Sequence, residues 1–135
     1  MSGAAGLRLL RLANPLVRRV LDSPGHRLVS GRLVLLAYRG RRSGHEHRIP
    51  LRYAETPAGA LVVVAVRPGR KQWWRAFSGG GTALVTLRGQ LIGVRGVVAE
   101  GADRDDALRV YLGRYPRSRR ITEDAAVVVF DAGTR

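Results

Sequence analysis

The sequence of 135 residues contains no cysteine, which excludes disulfides, thiolate nucleophiles and cysteine metal sites. It also has no apolar run approaching the roughly 18 residues that a membrane-spanning helix requires. Arg8 and Arg11 interrupt the leucines near the N-terminus, so we do not expect a signal peptide with an unbroken apolar stretch. Together these absences predict a cytoplasmic protein.

Lysine and acidic residues are scarce, whereas arginine is abundant, and the formal net charge is +14. Residues 1–99 hold 17 basic and three acidic residues and carry all of this excess, whereas residues 100–135 hold seven of each. A positive field over one part of the surface attracts phosphates, anionic lipid or nucleic acid. Aromatic residues make up only 6% and do not alternate with basic ones, so we expect no specific nucleic-acid partner.

An apolar content of 45% and this length predict one folded domain over residues 1–135. Residues 1–25 are predicted to form a basic amphipathic helix, in which one apolar stripe is flanked by arginines. The stripe comprises Leu9, Leu12, Ala13, Leu16, Val17 and Val20. Two positions for this helix remain open: it covers one end of the domain, or residues 1–22 lie on an anionic membrane surface, at the inner face of the membrane.

The rest of the chain, residues 30–135, alternates short apolar segments with turn residues and predicts a mainly β domain. Six strands are expected, together with a short helix at Lys71–Phe77 and a longer one at Asp103–Tyr115 that Asp103 caps. The predicted strands are Leu33–Tyr38, His47–Ala54, Ala60–Val66, Thr82–Leu87, Leu91–Val98 and Ala125–Phe130. Short hairpin connections favour a small six-stranded antiparallel barrel, because closure removes exposed sheet edges.

A glycine-bounded turn, Gly40-Arg41-Arg42-Ser43-Gly44, separates the first two predicted strands. Glycine at both ends lets the backbone turn tightly and approach a ligand closely. Two adjacent guanidiniums offer forked donors that suit phosphate or carboxylate groups. The turn is therefore a candidate site for an anionic cofactor.

His45 and His47 alternate along the next predicted strand, a spacing that places both on one face. No third metal ligand is apparent near them in the sequence, and His26 is distant. We therefore predict no metal site.

The stretch from Leu33 to Phe77 resembles the nitroreductase-like family of deazaflavin (F420)-dependent oxidoreductases. Three segments carry the resemblance: the glycine-bounded turn, then Ile49-Pro50-Leu51-Arg52-Tyr53, then Val62-Val63-Val64-Ala65 followed by Trp73-Trp74. The resemblance implies a split β-barrel related to the flavin-mononucleotide and pyridoxamine-phosphate oxidase barrels, with coenzyme F420 as the cofactor. Related barrels often pair, so a homodimer is also expected.

By position, the family's cofactor contacts fall on eleven residues of this chain. Arg41, Arg42 and Ser43 would hold the anionic tail, and the others would follow the coenzyme towards its ring. The others are His47, Arg48, Pro50, Tyr53, Ala65, Arg67, Gln72 and Trp73.

The chain departs from the family after the long helix, where several members have a cluster of tyrosines. Tyr115 is retained, but the next matching positions are Ser118 and Ile121, so the usual proton donor is absent. Tyr115, Tyr53 and Ser118 are the candidates to stabilise an anion that develops on the acceptor.

The leading hypothesis is an oxidoreductase that uses reduced F420 to transfer a hydride to a small acceptor of nitroaromatic, quinone or enone type. The first alternative is a non-catalytic split-barrel module that binds FMN, haem or lipid. The second is a basic protein that binds nucleic acid through its charge alone, or binds the membrane surface through residues 1–22.

Overall fold

The computed structural model describes residues 32–40, 43–66 and 72–132. In this part of the chain seven strands and one α-helix, α1 (Gly101–Arg114), are accompanied by short 3₁₀ helices at Trp73–Phe77, Pro116–Ser118 and Arg120–Thr122. The strands are β1 (Leu33–Arg39), β2 (Glu46–Arg52), β3 (Ala54–Glu55), β4 (Leu61–Ala65), β5 (Gly81–Leu87), β6 (Gln90–Val98) and β7 (Ala126–Asp131). The predicted N-terminal helix lies outside the described residues.

The strands form one antiparallel sheet in the order β2-β1-β5-β6-β7-β4-β3. β2 and β3 lie at opposite ends of this order, yet only Tyr53 separates them in the chain. The sheet must therefore curl until its two edges approach each other, which produces a curled half-barrel. The predicted mainly β, antiparallel architecture is confirmed.

The predicted count of six strands is wrong, because the segment His47–Ala54 contributes to two strands. Its first part pairs with β1, from Leu33↔Arg52 to Arg39↔Glu46. After Arg52 the chain turns away, and Ala54 pairs with Val62 of β4 instead. The single predicted strand therefore supplies both edge strands of the sheet, β2 and β3.

The β5–β6 hairpin, predicted to turn at Arg88-Gly89-Gln90, has a turn of two residues. Leu87 pairs with Gln90, which leaves Arg88 and Gly89 between the strands. Their φ angles are 49° and 80°. Positive φ at both central residues matches the right-handed twist of the flanking strands.

The main core fills the inside of the half-barrel with alternate side chains of the strands. On β1 these are Val34, Leu36 and Tyr38, all buried. Phe77 and Phe130 meet edge to face beneath them, with ring centroids 5.0 Å apart. All residues between the two ends of β1 are buried, as are all five residues of β4, so these strands are the short continuous apolar segments that the sequence predicted.

Helix α1 packs on the outer face of β4 and β7 and forms a second core. Ala107, Tyr111 and Tyr115 contact this face, and Leu108 and Leu112 pack against the same cluster. The predicted cap at Asp103 is wrong. The helix begins at Gly101 with Glu100 at the N-cap position, and Glu100 makes no side-chain capping hydrogen bond. The Ala99 N–H donates to the Val127 carbonyl at 2.8 Å, which fixes the chain just ahead of the helix.

The two predicted helices after residue 70 therefore differ in kind. The longer one is α-helical, whereas the shorter one is a 3₁₀ turn at Trp73–Phe77, and Lys71 lies outside the described residues. No helix in the described part of the chain has the length and apolar character to cross a membrane.

Candidate functional site

A cleft of about 520 Å³ opens where β1 ends, β2 begins and the 3₁₀ helix Trp73–Phe77 passes. Its lining combines aromatic, small polar and basic groups. The described lining residues are Tyr38, Gly40, Ser43, His47, Gln72, Trp73, Arg75 and Ala76. None of these is acidic, so the described part of the lining does not repel an anion.

The glycine-bounded turn closes on itself beside this cleft. The Gly40 N–H donates to the His45 carbonyl, and the Gly44 N–H donates to the Gly40 carbonyl, each at 2.9 Å. Ser43 Oγ accepts from the His45 N–H at 3.1 Å. Gly44 has a φ of 69°, in the left-handed region that favours glycine, and a Cβ on Gly40 would lie 2.9 Å from Ser43 Oγ. The described residues on either side of the two arginines are therefore fixed by these hydrogen bonds.

Tyr38 and His47 form one wall of the cleft. They face each other across the β1–β2 ladder, and their rings stack with centroids 5.1 Å apart and planes 25° apart. Tyr38 also touches Phe77, at 5.7 Å between centroids. Burial raises the pKa of the Tyr38 hydroxyl above its ordinary value, so Tyr38 is neutral at physiological pH.

The opposite wall is formed by the start of the 3₁₀ helix. Trp73 is half-buried and stacks on Phe130 at 6.5 Å with an interplanar angle of 16°. Arg75 is exposed, and its guanidinium carbon lies 5.6 Å from the centroid of the Trp74 ring. This wall thus presents an aromatic surface and a cation to the same cleft.

Four of the predicted cofactor residues line the cleft: Ser43, His47, Gln72 and Trp73. Arg41, Arg42 and Arg67 lie outside the described residues. The remaining predicted residues, Arg48, Pro50, Tyr53 and Ala65, are not among the described residues that line it. Ala65 is 1% exposed and Tyr53 is 3% exposed, so both belong to the packed interior.

Tyr38 and Arg75 were missing from the predicted site. A signal for Tyr38 exists in the sequence, because it is the last inward-facing position of β1 before the glycine turn. Arg75 follows the Trp pair directly, and its place beside the turn depends on long-range packing that no local pattern encodes.

The three predicted catalytic residues lie together near the other end of β2. Arg52 follows His47 by five positions, which is about 17 Å along a strand. Its Nε donates to the Tyr111 hydroxyl and its Nη2 donates to Ser118 Oγ, both at 3.2 Å. The same guanidinium carbon lies 4.4 Å from the Tyr115 ring centroid. Arg52 therefore links β2 to helix α1 and the segment after it.

Tyr115 donates its hydroxyl hydrogen to the Tyr53 carbonyl. Burial raises the pKa of Tyr115 above its ordinary value, although Arg114 and Arg52 act in the opposite direction. The Tyr53 hydroxyl itself is buried and has no hydrogen-bond partner in the described part of the protein. Tyr115 and Ser118 thus make contacts that hold the helix to the barrel.

Within the described ranges no group of three or more His, Asp or Glu side chains could hold a metal ion. The site chemistry available there is hydrogen bonding, aromatic packing and positive charge.

Comparison with solved structures finds the same architecture in other proteins. A domain-swapped dimer matches with a TM-score of 0.67 and 18% identity, covering 90% of this chain and 98% of that one. An F420-H2 dependent reductase (FDR-A) matches with a TM-score of 0.62 and 20% identity, covering 74% of this chain and 94% of that one. The chain shares the split-barrel fold of this reductase.

A third structure with this fold is Atu2129 from Agrobacterium tumefaciens, a protein of unknown function. It matches with a TM-score of 0.59 and 18% identity, covering 82% of this chain and 55% of that one. No family model and no curated protein matches the sequence. At these identities the comparisons establish the fold, and the resemblance to the reductase family is confirmed at that level.

Proposed function

We propose that the protein is a reductase that binds reduced F420 and transfers a hydride to a small organic acceptor. The supporting observation is the cleft beside the glycine-bounded turn, in a fold shared with an F420-H2 dependent reductase. Bound reduced F420 would supply the hydride, and the acceptor would take up a proton with it.

The residues around the cleft fit a coenzyme with an anionic tail and a flat ring. The described ends of the turn are fixed by hydrogen bonds, and Gly44 adopts a φ of 69° that favours glycine, as suits a turn where the backbone approaches a ligand closely. Arg41 and Arg42, at the centre of this turn, would donate to the tail together with Ser43. Trp73 and the stacked Tyr38–His47 pair provide apolar surfaces between which a ring is kept from water.

Fluorescence titration of the purified protein with F420 tests this proposal. We expect quenching that saturates in the micromolar range, and no quenching at high micromolar F420 would refute cofactor binding.

Arg42→Ala should weaken F420 binding by about 1–3 kcal/mol, or about 5- to 150-fold, because it removes charge-assisted hydrogen bonds to the tail. Arg109→Ala is the matched control, since Arg109 is exposed on helix α1 and pairs only locally with Asp106 at 3.0 Å. Equal affinities of the two variants would remove Arg42 from the site.

A non-catalytic module that holds FMN, haem or lipid is the second candidate. It is favoured because the hydroxyls of Tyr115 and Ser118, two of the candidate catalytic groups, make contacts between the helical segment and the barrel. Neither residue lines the cleft. The absorption spectrum and native mass of the protein as purified distinguish a retained flavin, haem or lipid from a weakly held F420.

We also propose that the chain forms a homodimer, as does the first of the structures that share its fold. Light scattering coupled to size-exclusion chromatography measures the mass directly. A single species at 14.7 kDa would contradict this assembly.

A further inference from the structure

A second cavity, of about 640 Å³, lies between helix α1 and the outer face of the sheet, away from the cofactor cleft. Its walls are mainly apolar, and Val97 on β6 is 43% exposed there. We call it the helix groove. Its described apolar lining residues include Val62, Val97, Ala99, Ala107, Val110 and Val129. Exposed apolar surface of this kind marks a place where another element packs.

The rim of the helix groove is acidic, although the protein as a whole is strongly basic. Glu100, Asp103 and Asp106 all border it, and none of its described lining residues is basic. Asp106 also pairs with the exposed Arg109 at 3.0 Å. The groove therefore suits an occupant with an apolar stripe between cationic side chains, and it disfavours an anionic lipid headgroup.

The chain itself contains such a segment, at residues 6–22, outside the described part of the structure. Its apolar stripe runs along Leu9, Leu12, Leu16 and Val20 at helical spacing. At 100° per residue, Arg8 and Arg19 lie beside this stripe, whereas Arg11 and Arg18 lie on the opposite face of the helix. If the stripe enters the groove, Arg8 and Arg19 are therefore the cations placed nearest its three carboxylates.

The point at which the described chain begins places this segment within reach. The Arg32 carbonyl accepts a hydrogen bond from the Tyr53 N–H at 3.1 Å. Ala54, which follows Tyr53 in the chain, pairs directly with Val62, and Val62 lines the groove. Residues 23–31 can span about 30 Å when extended, which is enough to return to the groove from Arg32.

We propose that residues 6–22 pack their leucine stripe into the helix groove of the same chain, with Arg8 and Arg19 near the acidic rim formed by Glu100, Asp103 and Asp106. This inference is independent of the proposed reductase activity. Because the described chain begins beside the groove, the segment of the same chain is the occupant.

Disulfide cross-linking of the full-length chain tests the placement, and the absence of native cysteine makes the product unambiguous. Leu16→Cys combined with Val97→Cys should cross-link rapidly on mild oxidation. Leu16→Cys combined with Ile121→Cys is the matched control, since Ile121 is also an exposed apolar residue, at 51%. A cross-linked monomer is the expected product, and a cross-linked dimer would contradict the assignment to the same chain and indicate a second copy in the groove. Equal rates for the two pairs, or no product from the first pair, would overturn the proposal.

Charge reversal in the full chain tests the acidic rim without cysteines. Asp103→Lys should expose the segment, so trypsin should cleave after Arg18 and Arg19 about three- to tenfold faster than in the native chain. Asp105→Lys is the charge-matched control, because Asp105 lies on the same helix but does not line the groove. Equal cleavage rates in the two variants would show that the acidic rim does not hold the segment.

Discussion

At the scale of single residues, a hydroxyl's role depends on which partners it has in the fold. Tyr115 was a candidate proton donor, but it lies on the buried side of helix α1 and donates to the Tyr53 carbonyl. Ser118 accepts from Arg52, whose guanidinium also stacks on the Tyr115 ring. This network provides polar contacts that join β2 to helix α1 and to the segment that follows it.

Tyr115→Phe should lower the free energy of unfolding by about 1–2 kcal/mol, because the Tyr53 carbonyl loses its donor in a buried place. Urea denaturation measures this change. F420 affinity should not change, because Tyr115 does not line the cleft. A stable variant that binds F420 but has lost turnover would instead assign Tyr115 to catalysis.

The buried tyrosines should make the protein less stable at high pH. Burial raises the pKa values of Tyr38 and Tyr115 above their ordinary value of 10.0. The unfolded chain therefore loses these protons at lower pH than the folded chain does, and alkali favours unfolding. The stabilisation is complete below pH 10 and is lost as the pH rises through the folded-state values.

Urea midpoints measured on both sides of pH 10 test this dependence. Tyr38→Phe should flatten the decline, since phenylalanine cannot ionise. If the urea midpoint of that variant fell as steeply with pH, the loss of stability in alkali would come from groups other than Tyr38.

At the scale of elements, glycine positions decide how closely the strands and the 3₁₀ helix can pack. A Cβ on Gly96 of β6 would lie 2.5 Å from Phe130 Cε1 and 2.8 Å from Phe77 Cδ1. The edge-to-face aromatic pair therefore occupies the space that any other residue at position 96 would need. A Cβ on Gly113 of helix α1, by contrast, would meet no side chain within 4 Å.

Gly96→Ala should destabilise the fold by about 1–3 kcal/mol, because the two phenylalanines must move from a packed core. Gly113→Ala is the control and should stabilise the helix by about 0.5–1 kcal/mol, because alanine has the higher helix propensity. Thermal denaturation of both variants measures the difference. A neutral Gly96→Ala would mean that the aromatic pair adapts without cost.

At the scale of the whole molecule, the excess positive charge lies in the same part of the chain as the glycine-bounded turn beside the cleft. The net charge of +14 comes entirely from residues 1–99, the part that contains the glycine-bounded turn. Helix α1 carries acidic residues on the opposite side of the sheet from the barrel interior, where they border the helix groove. The basic residues thus suit the anionic cofactor that we propose, and the acidic rim suits the basic segment that we propose to dock there.

F420 affinity should decrease as salt rises from about 0.1 M to about 1 M, because the Debye length shortens from about 10 Å to about 3 Å. Titrations at several ionic strengths measure the slope. Arg42→Ala should show a shallower slope than Arg109→Ala, since only the former removes a charge at the tail. Affinity that is independent of salt would imply that apolar contacts dominate binding.

Several features of this protein follow from its sequence alone. Short apolar segments bounded by turn residues predicted most of the strands, the glycines at positions 40 and 44 predicted the turn between β1 and β2, and the arginines of residues 1–99 account for the net charge. These features are local, so the chemistry of neighbouring residues is enough to specify them.

The tertiary structure alone decided which of these features meet. Tyr53 links strands at the two ends of the sheet order, so the predicted second strand became two and the sheet curled. The same curling brings Trp73 and Arg75 beside Tyr38 and His47, and it puts Tyr115 against the Tyr53 carbonyl. Pairings between residues far apart in the chain depend on the packing of the whole core, which local periodicity does not record.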